Sequence, residues 1–326
     1  MGAGLAHQEP FGLPGSIINL MWPDAPPRLM PAAVTPMTPA GEVDREGLAR
    51  LLAYFCAAGV DGVVIAGTNG EGPSLSAVEK RDLARDAVAL SAALPRPLPI
   101  ILGIATPSLA EATWLARQAI KAGCAATLVM PPGYFRGASE AGILDFLLAV
   151  AQAGQGPMLA YNYPRLTGIT LTPSMIGELA RHPNIVGFKD SSGERANLAA
   201  FRVAAPGKAL YVGNENLLPE ALASGWTGTI SGAANLVPTW LRAVLDDPAE
   251  SAAEKFAVLL PVLEAIRTAP QPESNKAALH ALGVLSHAHP RLPLLPANPE
   301  PLLTALRRHL GITPDQLGLP TPGPVR

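Results

Sequence analysis

The chain has 326 residues, of which 48% are hydrophobic and 15% charged, with a formal net charge of −2. Such a composition supports a large buried core and argues against a disordered or fibrous chain. The near-neutral charge, with no run of Lys or Arg, leaves little to neutralise a phosphate backbone, so we expect no nucleic-acid partner.

Cysteine content and the absence of targeting signals bear on location. Cys56 and Cys124 each lie in or beside an apolar segment, which is typical of buried reduced thiols rather than of a disulfide framework. The first residues lack the pattern of a signal peptide, and no apolar stretch reaches membrane length without a charge or a proline. We therefore predict a cytoplasmic protein that has no membrane partner.

In chain order, the first predicted segment is an irregular extension over residues 1–28, which contains several Gly and Pro and shows no helical or strand period. After it, short apolar runs alternate with longer amphipathic segments. The candidate strands are Leu29–Thr35, Gly62–Gly67, Pro99–Ile104, Ala126–Met130, Met158–Tyr161, Ile185–Lys189, Ala209–Gly213 and Gly228–Ser231.

The segments between the candidate strands carry the end signals of helices. Ser76–Glu79 and Ser108–Glu111 are capping boxes, Thr172 precedes an N-terminal proline, and Gly59 and Gly123 stand where helices end. Because the strands are apolar on both faces, the alternation predicts a parallel sheet covered by helices. Eight such units favour an α/β fold of the (β/α)₈ TIM-barrel type.

An open dinucleotide-binding sheet is the rival fold. It is disfavoured because no strand is followed by G-x-G-x-x-G, and the glycine cluster Gly67–Gly72 has the wrong spacing. We assign residues 29–235 to the barrel core and residues 236–326 to the last barrel helix and a C-terminal helical region. The helix-like segments in that region are Ala252–Thr268, Asn275–Leu285 and Pro301–Leu310.

Lys189 is the most informative residue, because it ends the apolar run Ile185–Phe188 at the end of a predicted buried strand. An amine flanked by hydrophobic groups loses hydration, so its pKa falls and it can condense with a carbonyl to form a Schiff base. Tyr161, at the end of another strand, could shuttle protons in such a reaction. Taken singly, the lysine could instead hold its ammonium in solvent, and the tyrosine could pack on Leu159.

Other strand ends, which meet at one end of a barrel, supply groups that could hold a carboxylate. Glycines around Thr68 and Asn69 would turn backbone N–H groups toward an anion, although the same residues also suit an ordinary turn. No histidine lies at a predicted strand end, so we predict no metal. The candidate substrate-binding residues are Thr68, Asn69, Gly70, Gly213, Asn214 and Ser231.

Together these residues resemble the dihydrodipicolinate synthase / N-acetylneuraminate lyase family of Schiff-base-forming (class I) aldolases over residues 29–310. The resemblance implies a (β/α)₈ barrel with a C-terminal helical region, assembled as a homotetramer of tight dimers, acting on a small 2-keto acid without a cofactor. The matching segments are Pro31–Pro36, Gly67–Glu71, Pro73–Ser76, Met130–Tyr134, Tyr161–Pro164, Thr167–Gly168, Gly187–Asp190, Ile230–Asn235 and Arg291–Pro296.

The same resemblance implies catalytic roles for four residues. Lys189 would form the imine with pyruvate, and Tyr161 would be the acid/base residue. Thr68 would link Tyr161 to Tyr134 in a proton relay, with Tyr134 reaching into the site of a neighbouring subunit. From the sequence alone, Tyr134 could equally be a loop aromatic that packs on Phe135.

Two positions depart from the synthases that condense pyruvate with aspartate semialdehyde. Leu166 stands where those enzymes have an arginine for the second substrate's carboxylate, and Asn69 replaces a threonine. Arg165 is adjacent to Leu166 but is expected to start in a different direction. We therefore predict a lyase that acts on 2-keto-3-deoxy sugar acids or a hydroxy-oxoglutarate type substrate. The alternatives are 4-hydroxy-tetrahydrodipicolinate synthase, a keto-deoxy sugar acid dehydratase and a non-catalytic ligand-binding member.

Overall fold

The computed structural model describes residues 22–23, 25–247 and 249–312. Residues 1–21 of the predicted extension and residues 313–326 of the predicted C-terminal region lie outside the described residues, and the division at residue 236 stays a prediction. Within the described ranges, no helix combines the length and apolar character that crossing a membrane requires.

Eight parallel strands form a single sheet: β1 (Leu29–Pro31), β2 (Val63–Ile65), β3 (Ile100–Ile104), β4 (Ala126–Val129), β5 (Met158–Asn162), β6 (Ile185–Asp190), β7 (Ala209–Val212) and β8 (Gly228–Ser231). Their order in the sheet is β1-β8-β7-β6-β5-β4-β3-β2. The sheet closes because Ala32, just after β1, bridges Val64 in β2, and Ala33 N donates to Val64 O at 2.9 Å. The predicted (β/α)₈ barrel is therefore confirmed.

Helices follow the strands, and the last three form the C-terminal region. The helices are α1 (Arg45–Ala57), α2 (Ala77–Ala92), α3 (Leu109–Ala122), α4 (Glu140–Gly154), α5 (Pro164–Thr167), α6 (Pro173–Ala180), α7 (Ala196–Ala204), α8 (Leu218–Ala223), α9 (Pro238–Asp246), α10 (Ala249–Thr268), α11 (Glu273–Ala281) and α12 (Glu300–Leu310).

The helix ends follow the sequence signals, with one exception. Ser76 and Glu79 form a complete capping box at the start of α2. Ser108 accepts from Glu111 N at the start of α3, but the box is incomplete. The Glu111 carboxylate turns instead to Thr106 Oγ1 at 3.0 Å and to the buried Lys80 ammonium at 3.5 Å, because these donors satisfy it in place of the cap N–H.

The strands are apolar on both faces because each face packs into a different layer. In β2, Val64 points into the barrel interior, whereas Val63 and Ile65 pack against the helices. In β3, Ile101 faces inward and its neighbours face outward. The barrel is therefore filled by side chains, and open space remains at its ends.

Several predicted elements are longer than the observed ones; in β2, for example, a strand over Gly62–Gly67 was expected and Val63–Ile65 is observed. β1 stops at Pro31, although a strand to Thr35 was expected, because the chain changes partner there: Ala32 N donates to Ser231 O, but Ala33 N donates to Val64 O. The predicted helix to Leu285 ends at Ala281, shortly before Gly283, whose φ of +79° is the left-handed conformation that ends helices.

Candidate active site

Lys189 lies in β6 beside Tyr161 of β5, because the register of these two strands pairs the two residues. Its Nζ is 4.2 Å from the centroid of the Tyr161 ring, and the residue is 5% exposed. Loss of hydration lowers the pKa of Lys189 from 10.5 to about 8, while the nearby Glu215 carboxylate opposes this change. The structure thus holds a buried amine of lowered pKa in a cavity, as the apolar run before it suggests.

Two other hydroxyl groups form hydrogen bonds with the Tyr161 hydroxyl. Ser191 Oγ donates to it at 3.2 Å, and Thr68 forms a side-chain hydrogen bond with it. Burial raises the pKa of Tyr161 to about 12, and the bonds with Ser191 and Thr68 act in the opposite direction. The phenol therefore keeps its proton at neutral pH and can give it to an oxygen that becomes negative.

Gly213 leaves the room that the lysine needs. A Cβ at this position would overlap Ser191 Oγ and lie 2.7 Å from Lys189 Cε. Glu215, two residues later, is held by Ser231 Oγ at 2.6 Å and by Ala233 N at 3.2 Å. These bonds fix a carboxylate close to the amine, where it favours the ammonium or iminium form.

The lysine cavity has a volume of about 460 Å³, and some of the predicted substrate-binding residues line it. Thr68, Asn69 and Gly213 do so. The other three stand behind the lining: Gly70 O accepts from Thr35 Oγ1, Asn214 Oδ1 accepts from Asn216 N, and Ser231 donates to Glu215. Roles in substrate binding for all six residues stay predictions.

Tyr134 lies apart from the lysine. It is 82% exposed, its ring meets that of Phe135 edge-on at 5.3 Å, and it lines a second cavity of about 470 Å³. Thr68, Leu166 and Gln271 line both cavities. A relay from Thr68 to Tyr134 is not formed within one chain and stays a prediction for an assembly.

Arg165 also contributes to the rim of the lysine cavity. It lines the lysine cavity together with Leu166, because the short helix α5 places both residues at the rim beyond β5. No hydrogen bond or ion pair engages its guanidinium in the described part of the chain. A positive group is thus available at the rim even though the residue at the expected position is aliphatic.

The C-terminal region provides a wall of the cavity that was not predicted from the sequence. Leu263, Ile266 and Arg267 of α10 line the lysine cavity, as do Gln271, just before α11, and Asn275 within α11. No sequence signal marks them, because they do not stand at strand ends. Ser191 was also missed, although it follows Lys189 by two positions at the end of β6. In the described ranges, no three His, Cys, Asp or Glu side chains are grouped as metal ligands.

Comparison with known proteins agrees with this geometry. A sequence model of the dihydrodipicolinate synthetase family matches residues 25–309. The 4-hydroxy-tetrahydrodipicolinate synthase of Methanosarcina mazei is 34% identical over 292 residues, which cover 87% of this chain and 98% of the relative. The enzyme of the same name from Exiguobacterium sibiricum is 32% identical over 289 residues, covering 86% of this chain and 97% of the relative.

Solved structures of the same family are also similar to this chain. The chloride-inhibited dihydrodipicolinate synthase of Acinetobacter baumannii, complexed with pyruvate, superposes with a TM-score of 0.81 at 30% identity, covering 86% of this chain and 98% of that one. YagE, a prophage protein of the dihydrodipicolinic acid synthase family from Escherichia coli in complex with pyruvate, gives a TM-score of 0.82 at 27% identity, covering 88% and 99%.

Proposed function

Because the chain belongs to the dihydrodipicolinate synthetase family of Schiff-base-forming lyases, we propose that Lys189 condenses with pyruvate or a related 2-keto acid and makes or breaks a carbon–carbon bond. The observation that carries the proposal is the buried Lys189 amine in contact with the Tyr161 ring inside a cavity of about 460 Å³. A cavity of this size accommodates a small organic acid.

In the proposed reaction the neutral Lys189 amine adds to the ketone carbon, Tyr161 donates a proton to the carbinolamine oxygen, and water leaves. The resulting iminium withdraws electrons, so the adjacent carbon gives up a proton to the Tyr161 phenolate and an enamine forms. The enamine attacks an aldehyde, whose oxygen takes the proton back from Tyr161, or the reverse sequence breaks that bond. Water finally hydrolyses the imine and frees the amine.

The hydroxyls around Tyr161 support its role as the proton carrier. Thr68 and Ser191 both bond to the phenol oxygen. These bonds stabilise the phenolate that follows each proton donation. Thr68 and Asn69 also line the lysine cavity at a glycine-rich turn, where their donors suit the carboxylate of the 2-keto acid.

For the second substrate, we favour a 2-keto-3-deoxy sugar acid or a hydroxy-oxoglutarate type compound, cleaved to pyruvate. Support comes from Leu166, which lines the cavity at the position where the synthases have an arginine. Asn69 supports it as well, because it replaces a threonine of those synthases. The second candidate is 4-hydroxy-tetrahydrodipicolinate synthase. It is favoured by Arg165, which also lines the cavity, and by curated relatives of that name.

We also propose that the protein is a cytoplasmic homo-oligomer, a dimer of dimers, in which Tyr134 completes a neighbouring site. Tyr134 is 82% exposed and Phe135 is 54% exposed, which leaves an apolar pair without cover in the single chain. Covering such a pair is the usual role of an interface.

Borohydride reduction in the presence of pyruvate, followed by peptide mass spectrometry, tests the imine. The adduct is expected on Lys189 in the wild-type protein and is absent from Lys189→Ala, whereas Lys121→Ala, which changes an exposed lysine, retains it. An adduct on another lysine, or none at all, contradicts the proposal.

A comparison of kcat/KM for cleavage of 2-keto-3-deoxy acids with kcat/KM for condensation of pyruvate and aspartate semialdehyde tests the second substrate. A strong preference for the semialdehyde refutes the favoured candidate and supports the second one. Product analysis distinguishes carbon–carbon cleavage from the loss of water.

A further inference from the structure

A buried ion pair lies behind the turn that carries Thr68. Lys276 of α11 is 0% exposed, Glu71 is 3% exposed, and the Lys276 ammonium forms an ion pair with Glu71 Oε1. Removing two charges from water costs several kcal/mol for each ion, so a buried pair adds little net stability and its retention needs another explanation.

Both members of the pair are fixed by further contacts. The second Glu71 oxygen accepts from Arg291 N at 2.7 Å, and Lys276 Nζ donates to His289 O at 3.0 Å. Burial lowers the pKa of Lys276, whereas Glu71 and, more weakly, Glu273 raise it, and the Arg291 charge lowers it. The C-terminal region is thus fastened to the turn after β2 by charge.

The turn after β2 adopts a conformation that side chains rarely accept. Ala66 and Glu71 have φ values of +51° and +52°. Each such residue costs about 1–2 kcal/mol and persists only where its surroundings hold it. The turn between them is also tightly packed, since a Cβ on Gly70 would lie 2.9 Å from Ala66 N.

The strained turn leads directly to the proton carrier. Glu71 N donates to Thr68 O at 3.2 Å, and the Thr68 side chain bonds to the Tyr161 hydroxyl. A displacement of Glu71 is therefore passed through one backbone hydrogen bond to Thr68, and through one side-chain hydrogen bond to the phenol.

We propose that Glu71 and Lys276 are positioning residues: their buried ion pair anchors the strained turn after β2 and so holds Thr68 against Tyr161 for proton transfer. This inference rests on the proposed Schiff-base function and adds to it a role for α11. Neither residue touches the reacting atoms.

The test uses the full-length protein and pyruvate in deuterated water, where exchange of the methyl protons reports formation of the enamine without the second substrate. Lys276→Met removes the ammonium at similar size and is expected to slow exchange at saturating pyruvate by about 10- to 100-fold, the loss that follows a small misplacement of a catalytic group. Lys80→Met is the matched control, because Lys80 is also buried, at 2% exposed, but forms its ion pair with the partly exposed Glu111 rather than with the turn. It should exchange within about twofold of wild type, as expected for groups that do not interact.

A double-mutant cycle separates positioning from general damage. Thr68→Val alone should slow exchange, and Thr68→Val with Lys276→Met should be no slower than Thr68→Val, because the anchor acts only through Thr68. The proposal would be overturned if the loss of exchange rate in the double variant equalled the product of the two single losses. It would also be overturned if Lys276→Met exchanged like wild type.

A second variant covers the case in which Lys276→Met does not fold, since it leaves an unpaired buried carboxylate. Glu71→Gln with Lys276→Met removes both charges and keeps an acceptor for Arg291 N. Its thermal midpoint should recover toward wild type while exchange stays at least about fivefold slow. If the thermal midpoint and the exchange rate both returned to wild-type values, the pair would only balance charge, and the inference would fail. If the wild-type protein forms no adduct with pyruvate on borohydride reduction, the proposed function fails instead.

Discussion

Lys189→Met should abolish imine formation and at the same time stabilise the protein at neutral pH. Burial lowers the pKa of Lys189 from 10.5 to about 8. Each pKa unit of difference between the folded and the unfolded chain corresponds to about 1.4 kcal/mol, so holding the ammonium form in the folded barrel costs about 3 kcal/mol at pH 7. Methionine has a similar length and no charge, and it removes this cost.

The size of the gain depends on pH in a defined direction. Below about pH 8 the lysine is protonated in both states, and the whole cost is present. Between about pH 8 and 10.5 the folded protein releases the proton while the unfolded chain keeps it, so the cost declines as the pH rises. Above 10.5 both states are neutral, and the variant has no remaining advantage.

Denaturant unfolding of wild type and variant at pH 7 and pH 10.5 measures the effect. The difference in free energy of unfolding should be about 3 kcal/mol in favour of the variant at pH 7 and below about 1 kcal/mol at pH 10.5. Lys121→Met changes an exposed lysine and is the control, for which the difference should vary little with pH. The reasoning is refuted if Lys189→Met is less stable than wild type at pH 7, or if its gain is the same at both pH values.

Three further substitutions test single contacts of the site. Tyr161→Phe should lower turnover by about 100- to 10,000-fold, the range of general acid–base catalysis, and a turnover near wild type would exclude the phenol as proton carrier. Gly213→Ala should prevent borohydride trapping of pyruvate in a protein with a native circular-dichroism spectrum, because the added Cβ overlaps Ser191 Oγ and crowds Lys189 Cε; normal trapping would contradict this. Arg165→Leu should lower kcat/KM for aspartate semialdehyde by about 10- to 100-fold if the guanidinium binds its carboxylate, and an unchanged value would rule out that contact.

The strand and helix pattern was predictable because its signals are local. Apolar runs with two buried faces marked all eight strands, and capping residues such as Ser76 and Thr172 marked helix starts. The boundary of β1 differs from the prediction because it depends on a distant partner. β1 ends where the backbone stops pairing with β8 and pairs instead with Val64 of β2, and no local residue pattern encodes that change of partner.

The site was predictable only where it is built from strand ends. Lys189, Tyr161 and Thr68 meet because a parallel barrel brings the C-terminal ends of its strands together. Lys276 gave no signal, since a lysine on a short helix normally lies in solvent, and only the packing of α11 on the turn after β2 buries it. The contribution of Arg165 depended on the orientation of α5, which sequence spacing does not determine.

The wall that α10 and the segment before α11 add to the lysine cavity has a practical consequence for engineering. The groups proposed to make and break bonds lie at the ends of barrel strands, whereas Leu263, Ile266 and Arg267 line the same cavity from α10. Randomising these positions offers a way to change which aldehydes the enzyme accepts without disturbing the nucleophile. Libraries that extend further along the chain would keep Lys276 fixed, because altering it would confound a change of acceptor range with a loss of proton transfer.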